Sequence, residues 1–257
     1  MRPARLFALV GAPLLGLVTG LALAAPAQAQ EAELVKHDWS FSGPFGTFDR
    51  AAAQRGFQVY NEVCANCHSM KLGYYRNLEG IGIPEEAIKA IAAAKSVPTI
   101  GDDGQPTERP ALPADHFRSP YPNDKAARAA LNGALPPDLT VIEKARKGGA
   151  DYIWSIINGY GEPPAGVKIG DGLYYNKYFP GHQIAMPQPL QADQVTYADG
   201  TKATIEQEAY DVATFLTYMA NPEMEQRKRI GVKVVLFLVL LTGFTYAVKR
   251  KVWADVH

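Results

Sequence analysis

Two cysteines and a histidine stand close together in the segment Cys64-Ala65-Asn66-Cys67-His68. The spacing C-x-x-C-H is typical of c-type haem attachment, in which each thiol forms a thioether and the imidazole binds the iron. C-x-x-C alone would also suit a redox-active thiol pair, half of a zinc ribbon or a buried cysteine pair. The chain has no other cysteine, which leaves no thiol for a four-cysteine zinc site or a disulfide framework. The segment therefore predicts one covalently attached haem c, with His68 as an iron ligand.

A second iron ligand is predicted at Met186, which lies in the proline-rich, non-helical segment 181–190. A thioether is a soft ligand that raises the reduction potential of a haem iron, as an electron carrier needs. His182 is the alternative ligand, and would make a bis-histidine site of lower potential. The other methionines are less suitable by position: Met1 in the export segment, Met70 too close to His68, Met219 on a predicted helix and Met224 beside an apolar segment.

The N-terminus has the pattern of a secretory signal peptide. Arg2 and Arg5 precede the apolar stretch Leu6 to Leu23, and Ala27-Gln28-Ala29 resembles a cleavage site. An uncleaved anchor is the alternative, because the apolar run is long. The glycines and Pro13 inside the run favour cleavage. Export also agrees with the predicted cofactor, since c-type haem is attached outside the bacterial cytoplasm.

The C-terminus contains a second apolar stretch, from Ile230 to Val248, between two basic triplets. Its length suits a transmembrane helix, which needs about 17–25 residues. A buried core helix is the alternative. Both flanks are basic, so the orientation follows from the signal peptide instead. We expect a signal peptide at 1–29, a periplasmic haem domain at 30–226, a membrane anchor at 227–249 and a cytoplasmic tail at 250–257.

The expected exported part is acidic, with 25 acidic and 17 basic side chains between residues 30 and 226, a net charge of −8. This balance argues against a nucleic-acid partner and favours a cationic one. Taken alone, the net negative charge is better explained as surface charge that keeps a protein soluble.

Helical patterns dominate the body. Thr47 or Asp49 can cap a helix over 50–63, which leads into the haem motif, and Thr204 begins a capping box for a helix that extends to Ala220. Shorter helices are predicted over 85–94, 125–131, 140–146 and 152–158. The segment 97–122 is predicted to be a long surface loop, and Asp199-Gly200 a hairpin-like turn. No arrangement of Ser, His and Asp indicates a nucleophile, so no catalytic residue is assigned.

Taken together, these motifs resemble the cytochrome c1 family, of the alphaproteobacterial or mitochondrial type. The matching segments are residues 55–64, the haem motif, Tyr121-Pro122-Asn123, residues 132–139, residues 172–176, Met186-Pro187, Asp199-Gly200-Thr201 and the C-terminal anchor. The resemblance implies a mainly α fold, with a class I c-type cytochrome core, long loop insertions and one C-terminal transmembrane helix.

Residue roles follow from the same resemblance. It implies thioethers at Cys64 and Cys67, axial ligands at His68 and Met186, and haem-propionate contacts from Arg146 and Tyr152. The segment Pro136-Pro137 is expected to offer a backbone carbonyl to His68 Nδ1. Some bacterial relatives carry an extra cysteine pair before the methionine. This chain lacks it, so the Met186 loop must be held by packing and prolines.

The implied function is one-electron transfer within ubiquinol–cytochrome c oxidoreductase, from the Rieske iron–sulfur subunit to a soluble, cationic cytochrome c or c2. The implied partners are cytochrome b and the Rieske subunit, in a dimeric complex of the bacterial inner or intracytoplasmic membrane. A free-standing, membrane-anchored cytochrome c that feeds an oxidase is the main alternative. A haem enzyme with an open iron site, such as a peroxidase, is the third.

Overall fold

The computed structural model of the chain describes residues 32–255. The predicted signal peptide and the last two residues of the predicted tail lie outside this range. The described part is mainly helical, as predicted, and its α-helices are α1 Arg50–Glu62, α2 Glu85–Ala93, α3 Asp124–Ala130, α4 Ile142–Ala145, α5 Ala150–Asn158, α6 Ile205–Ala220 and α7 Met224–Val252. Short 3-10 helices are present at Cys64–Asn66, Tyr75–Ile81 and Pro180–His182.

Helices α1 and α6 begin where their capping residues predict. The Asp49 carboxylate accepts a hydrogen bond from Ala52 N at 3.1 Å, and the Thr204 hydroxyl accepts one from Gln207 N at 3.2 Å. Each side chain thereby satisfies one of the amide groups that the first helical turn leaves without a partner. Both helices bury much of their surface, and every residue of α6 from Asp211 to Ala220 is buried.

The centre of the fold is the crossing of α1 and α6 at Gly56. A Cβ atom at this position would collide with the Asp211 carbonyl, and would lie 2.8 Å from Phe215 Cβ. Only glycine therefore allows the two backbones to approach so closely. Phe57 and Tyr60 of α1 pack against Phe215, with ring centroids 5.6 and 5.7 Å apart.

The prediction of a long loop over 97–122 was only partly right, because this segment contains most of a small antiparallel hairpin. Strand β1, Ser96–Ile100, pairs with β2, Pro106–Pro110, through a turn in which Gly101 N donates to Gln105 O at 2.8 Å. Both strands contain proline, which is tolerated on a two-stranded edge but masks the strand pattern in the sequence. A second ribbon pairs β3, Tyr174–Tyr175, with β4, Gln183–Ile184.

The predicted hairpin-like turn at Asp199-Gly200 is a turn without strands. Gly200 N donates to Tyr197 O at 3.2 Å, and Thr201 N donates to the Asp199 carboxylate at 2.9 Å. The flanking residues pack onto α6 instead of pairing with each other, with Val195 and Tyr197 buried. Burial against a helix has therefore replaced the strand pairing that the local pattern favoured.

Helix α7 is the apolar segment predicted from the sequence. Its most apolar 18-residue window has a mean hydropathy of 2.0, and none of that window is buried, which argues against a core helix. The helix has 29 residues, roughly 43 Å at 1.5 Å per residue, which exceeds the thickness of a bilayer core. Among residues 32–255 it is the one helix with the length and composition to cross a membrane.

The first turns of α7 are bound to the helical domain. Glu225 accepts two hydrogen bonds from the Arg50 guanidinium, at 2.9 and 2.8 Å, and a third from Phe48 N. Lys228 donates to the carbonyls of Phe41 and Gly46 at 2.7 and 3.0 Å. Helix α7 begins at Met224, before the predicted boundary at residue 227. Its first two turns are held to the helical domain by these polar contacts.

Replacing Gly56 by Ala should destabilise the protein by about 3 kcal/mol, near the upper end for overpacked sites. The physical reason is the collision of the new methyl group with the α6 backbone. Thermal and chemical unfolding of the purified full chain would measure the change. Gly161→Ala is the matched control, because nothing lies within 4 Å of its Cβ position, and it should change stability by less than about 0.5 kcal/mol. Equal stability of the two variants would contradict the close crossing.

Candidate functional site

The cysteine motif lies on a tight turn directly after α1. The α-helix ends at Glu62, and Cys64–Asn66 forms a 3-10 turn. The amides of Cys67 and His68 both donate to Cys64 O, at 3.1 and 2.8 Å. The motif therefore follows the predicted helix 50–63 directly, and the chain tightens there to 3-10 geometry, as it often does at a helix end. The thiols are unpaired, with Cys64 half-buried and Cys67 exposed.

His68 has a defined ring orientation. Its Nδ1 lies 2.8 Å from Pro137 O, so the expected contact with the Pro136-Pro137 segment is present. Because a carbonyl can only accept, Nδ1 carries the proton and Nε2 keeps its lone pair for a metal. Burial lowers the pKa of His68, and the hydrogen bond to Pro137 only partly opposes this. The imidazole is therefore held in the neutral form that can bind iron.

Asp138 fastens the segment after His68 to the segment that contains Pro137. Its carboxylate accepts hydrogen bonds from the Ser69 hydroxyl and Lys71 N, both at 2.7 Å, and from the amide and hydroxyl of Thr140, at 3.0 and 2.6 Å. Leu139 N donates to Ser69 O at 2.8 Å. Burial acts to raise the pKa of Asp138, but the four hydrogen bonds outweigh it and the pKa is lowered. Sequence reasoning did not single out Asp138 for this role.

Met186 lies on a loop that is anchored at both ends. The β3–β4 ribbon precedes it, and the buried side chains of Ile184 and Leu190 hold the chain on either side. The Tyr160 hydroxyl donates to Met186 O at 2.9 Å. Burial raises the pKa of Tyr160, so this hydroxyl remains protonated and able to donate. Prolines and packing were expected to hold this loop, and the structure adds Tyr160, which the sequence pattern did not distinguish from its neighbours.

His182, the alternative iron ligand, takes part in the turn before Met186. Its Nδ1 lies 2.9 Å from Lys177 O, and its amide donates to Phe179 O at 2.7 Å. Its backbone has a φ of 59°, in the left-handed region. These contacts give His182 a local role in shaping the loop.

Arg146 and Tyr152 lie at either end of the connection between α4 and α5. The chain turns between them at Gly148 and Gly149, with φ values of 96° and 55°. Arg146 is exposed, and within residues 32–255 its guanidinium donates only to Ala145 O, at 3.1 Å. Tyr152 is half-buried against the core and interacts electrostatically with Tyr160, the residue that holds Met186 O.

One hydrophobic core connects these groups. The partly buried side chains that pack against it include Cys64, Tyr152, Tyr160 and Met186. Tyr60, one helical turn before Cys64, has a buried hydroxyl without a hydrogen-bond partner in the described part of the chain. A buried polar group without a partner is uncommon in a protein interior, and here it lies beside the motif.

Comparison with known proteins identifies the family. A family model described as the Cytochrome C1 family matches residues 39–256. The chain belongs to the cytochrome c1 family. The cytochrome c1 of Rhodospirillum rubrum is 47% identical over 258 residues, which cover 94% of this chain and 95% of that relative. The mitochondrial cytochrome c1 heme protein of Saccharomyces cerevisiae is 49% identical over 220 residues, covering 85% of this chain and 71% of the relative.

A third relative is the cytochrome b/c1 of Bradyrhizobium diazoefficiens, 48% identical over 242 residues. The match covers 85% of this chain but only 35% of that longer protein. The predicted family is confirmed, and with it the cytochrome c1 fold. Membership of the cytochrome c1 family makes this chain a haem-containing protein of electron transport.

The residues present fit a haem. Two unpaired thiols, a neutral imidazole with Nε2 available and a half-buried thioether are the kinds of nitrogen and sulfur donor that a c-type site uses. The buried Tyr60 hydroxyl near Cys64, which has no hydrogen-bond partner among the described residues, agrees with a region shaped for a bound group.

Replacing Asp138 by Ala should lower stability by about 3 kcal/mol, because two amides and two hydroxyls lose their acceptor. Asp102→Ala, a change on the exposed turn of the β1–β2 hairpin, is the control. Since the folded pKa of Asp138 lies below 3.8, its contribution is present above pH 3.8 and is lost as the pH falls through the folded value. Unfolding measured at several pH values tests both statements. A loss no larger than that of the control would contradict the role of Asp138.

Proposed function

We propose that this chain is the haem-carrying subunit of ubiquinol–cytochrome c oxidoreductase and transfers single electrons from the Rieske iron–sulfur protein to a soluble cytochrome c or c2. The observation that carries the proposal is the orientation of His68 by Pro137 O directly after two unpaired thiols, in a chain of the cytochrome c1 family. These residues offer attachment and ligation for one haem, and no bond-making chemistry is assigned to them.

The proposed attachment is covalent and single. Cys64 and Cys67 would form the two thioethers to one haem c, and His68 Nε2 and Met186 Sδ would be the ligands of its iron. Arg146 and Tyr152 would bind the propionates. The exposed Arg146 guanidinium, which within residues 32–255 donates only to Ala145 O, and the Tyr152 hydroxyl can supply the charge and the donor that a propionate needs.

When bound, the haem supplies an iron that cycles between the ferric and ferrous states. The surrounding residues must keep the iron-binding side chains in place during that cycle. The His68–Pro137 hydrogen bond fixes the imidazole, and the Tyr160 hydroxyl fixes the backbone of Met186. Asp138 keeps the two proximal segments together. Ligands held by preformed contacts need little rearrangement when the charge of the site changes.

We propose that the chain has a signal peptide at 1–29, a periplasmic domain at 30–226, a membrane anchor at 227–249 and a cytoplasmic tail at 250–257. The exposed apolar surface of α7 supports the anchor. The contacts of Glu225 and Lys228 would keep the haem domain close to the periplasmic face of the bacterial inner or intracytoplasmic membrane.

Proposed partners follow from the same family. Cytochrome b and the Rieske subunit would surround the anchor and the haem domain in a dimeric complex. One relative is itself named cytochrome b/c1, which supports a close association with cytochrome b. The net charge of −8 between residues 30 and 226 supports a cationic cytochrome as the electron acceptor, with salt-dependent association.

Gentle solubilisation of the membranes tests the complex. We expect the c-type haem of this chain to co-purify with b-type haem and a Rieske iron–sulfur centre. Isolation of the haem protein without either group would favour the alternative, a free-standing cytochrome that feeds an oxidase. A reduced protein that binds carbon monoxide would favour an open-site haem enzyme instead.

Met186→Leu should lower the reduction potential of the haem by hundreds of millivolts, a shift on the order of the axial-ligand range. The reason is the loss of the soft thioether ligand, which stabilises the ferrous state. Redox titration of the purified complex measures the potential. Met219→Leu, a change in the buried face of α6, is the control and should leave the potential nearly unchanged. A small effect of Met186→Leu would indicate that His182 or another group binds the iron.

A further inference from the structure

A carboxylic acid without a full set of partners is buried in the α1–α6 core. Glu208, on the first turns of α6, is 0% exposed. Its Oε1 accepts one hydrogen bond, from Val195 N at 3.2 Å, and its Oε2 has no hydrogen-bond partner in residues 32–255. An ionised carboxylate in this position loses its hydration without adequate replacement, whereas a protonated one costs much less.

The charges around Glu208 do not compensate for its burial. Asp193 and Asp211 both act to raise its pKa. Arg55 of α1 is bound to other carboxylates, since it donates twice to Asp211, at 2.8 and 3.0 Å, and once to Asp199 at 2.8 Å. Burial, with these two carboxylates, raises the pKa of Glu208 to about 7.

Four other acidic or phenolic groups on elements around α6 are neutral or already hydrogen-bonded, and one of them, Glu62 of α1, accepts a hydrogen bond from Gln58. Tyr197 is a buried, protonated phenol, because burial raises its pKa. Asp151 of α5 accepts hydrogen bonds from Trp39 and Lys36, and Glu143 of α4 accepts one from Asn221. None of these supplies Glu208 with a free positive charge.

Glu208 is coupled to the haem motif through space. The Cys64 thiol has its pKa raised mainly by burial, and Glu208 adds to this effect. The segment that binds the Glu208 carboxyl also contacts α1 before the motif, because Gln58 Nε2 donates to Thr196 O at 3.0 Å, next to Val195. Under the proposed function, Cys64 is one of the two points at which the haem is attached.

We propose that Glu208 is a proton-binding site coupled to electron transfer: it takes one proton from solvent when the haem site gains an electron, and releases that proton when the electron leaves. The O–H bond formed on the carboxylate replaces one O–H bond of a solvent hydronium ion, which is left as water, when the haem site gains one electron. The electron comes from the reductant of the proposed function, on which this inference rests. The added negative charge raises the affinity of the Glu208 carboxylate for a proton, because burial reduces the screening by solvent.

Because reduction of the haem site and protonation of Glu208 favour each other, the reduction potential depends on pH. The reduction potential should fall as the pH rises through about 7, the value to which burial raises the pKa of Glu208. It should level off at lower and at higher pH. Each tenfold difference in proton affinity between the reduced and oxidised states corresponds to 59 mV.

Redox titration of the haem in the purified complex, from acidic to alkaline pH, tests the proposal. The unmodified protein should show the fall, and Glu208→Gln should show a flat potential over the same range. Glu206→Gln is the matched control, because Glu206 lies two residues earlier on the same helix but is exposed, and it should retain the fall. A flat potential in the unmodified protein, or a fall that persists in Glu208→Gln, would overturn the proposal.

Two further measurements do not depend on the potential. Redox-difference infrared spectra of the unmodified protein near pH 7 should gain a protonated-carboxyl band on reduction, and the absence of this band would contradict the proposal even if Glu208→Gln does not fold. Because the folded pKa lies above the unfolded value, stability should fall as the pH rises from about 4.5 to 7, and this fall should be absent in Glu208→Gln.

The outcomes separate this inference from the proposed function. A preparation without c-type haem, or without b-type haem and a Rieske centre, would contradict the proposed function. A haem-loaded complex with a potential independent of pH would contradict only the role of Glu208.

Discussion

The close crossing of α1 and α6 at Gly56 is the constraint on which the rest of the structure depends. Because the backbones touch there, the end of α1 is fixed relative to the core, and the turn that carries Cys64, Cys67 and His68 follows at once. The same crossing buries Glu208 and Asp211, and it brings Arg55 against Asp211. Helix α6 then continues within a few residues into α7, so the apolar helix starts from the same rigid pair.

The candidate site is built in two halves that use different physical means. On the His68 side, a network of short hydrogen bonds through Asp138 joins two chain segments, and a backbone carbonyl sets the imidazole tautomer. On the Met186 side, a loop is held by buried apolar side chains and by one tyrosine hydroxyl. The hydrogen-bonded half is set by the direction of its donors and acceptors, whereas the packed half depends on the shape of its buried side chains. Both halves rest on one hydrophobic core.

Acidic groups of this chain have distinct environments, and these assign them distinct roles. The pKa of Asp138 is lowered because its hydrogen bonds outweigh the effect of burial, so this carboxylate is ionised. Burial and neighbouring acids instead raise the pKa of Glu208 to about 7. Asp115, which is bound by Arg109 at 2.6 Å, has its pKa lowered to about 2 and is permanently charged. Glu208 therefore differs from the carboxylates that cations or hydrogen bonds hold in the ionised form.

The amino-acid sequence by itself determined the family, the mainly α fold and the apolar C-terminal helix, because these depend on local spacing, capping residues and a continuous apolar run. It also indicated the Pro137 contact through the family resemblance. Only the tertiary structure showed the β1–β2 hairpin, whose prolines hide its pattern, and replaced the expected strands around Asp199 with packing onto α6. It alone revealed Asp138, Tyr160 and Glu208. Their roles depend on partners far away in the sequence and on burial, and neither can be read from spacing along the chain.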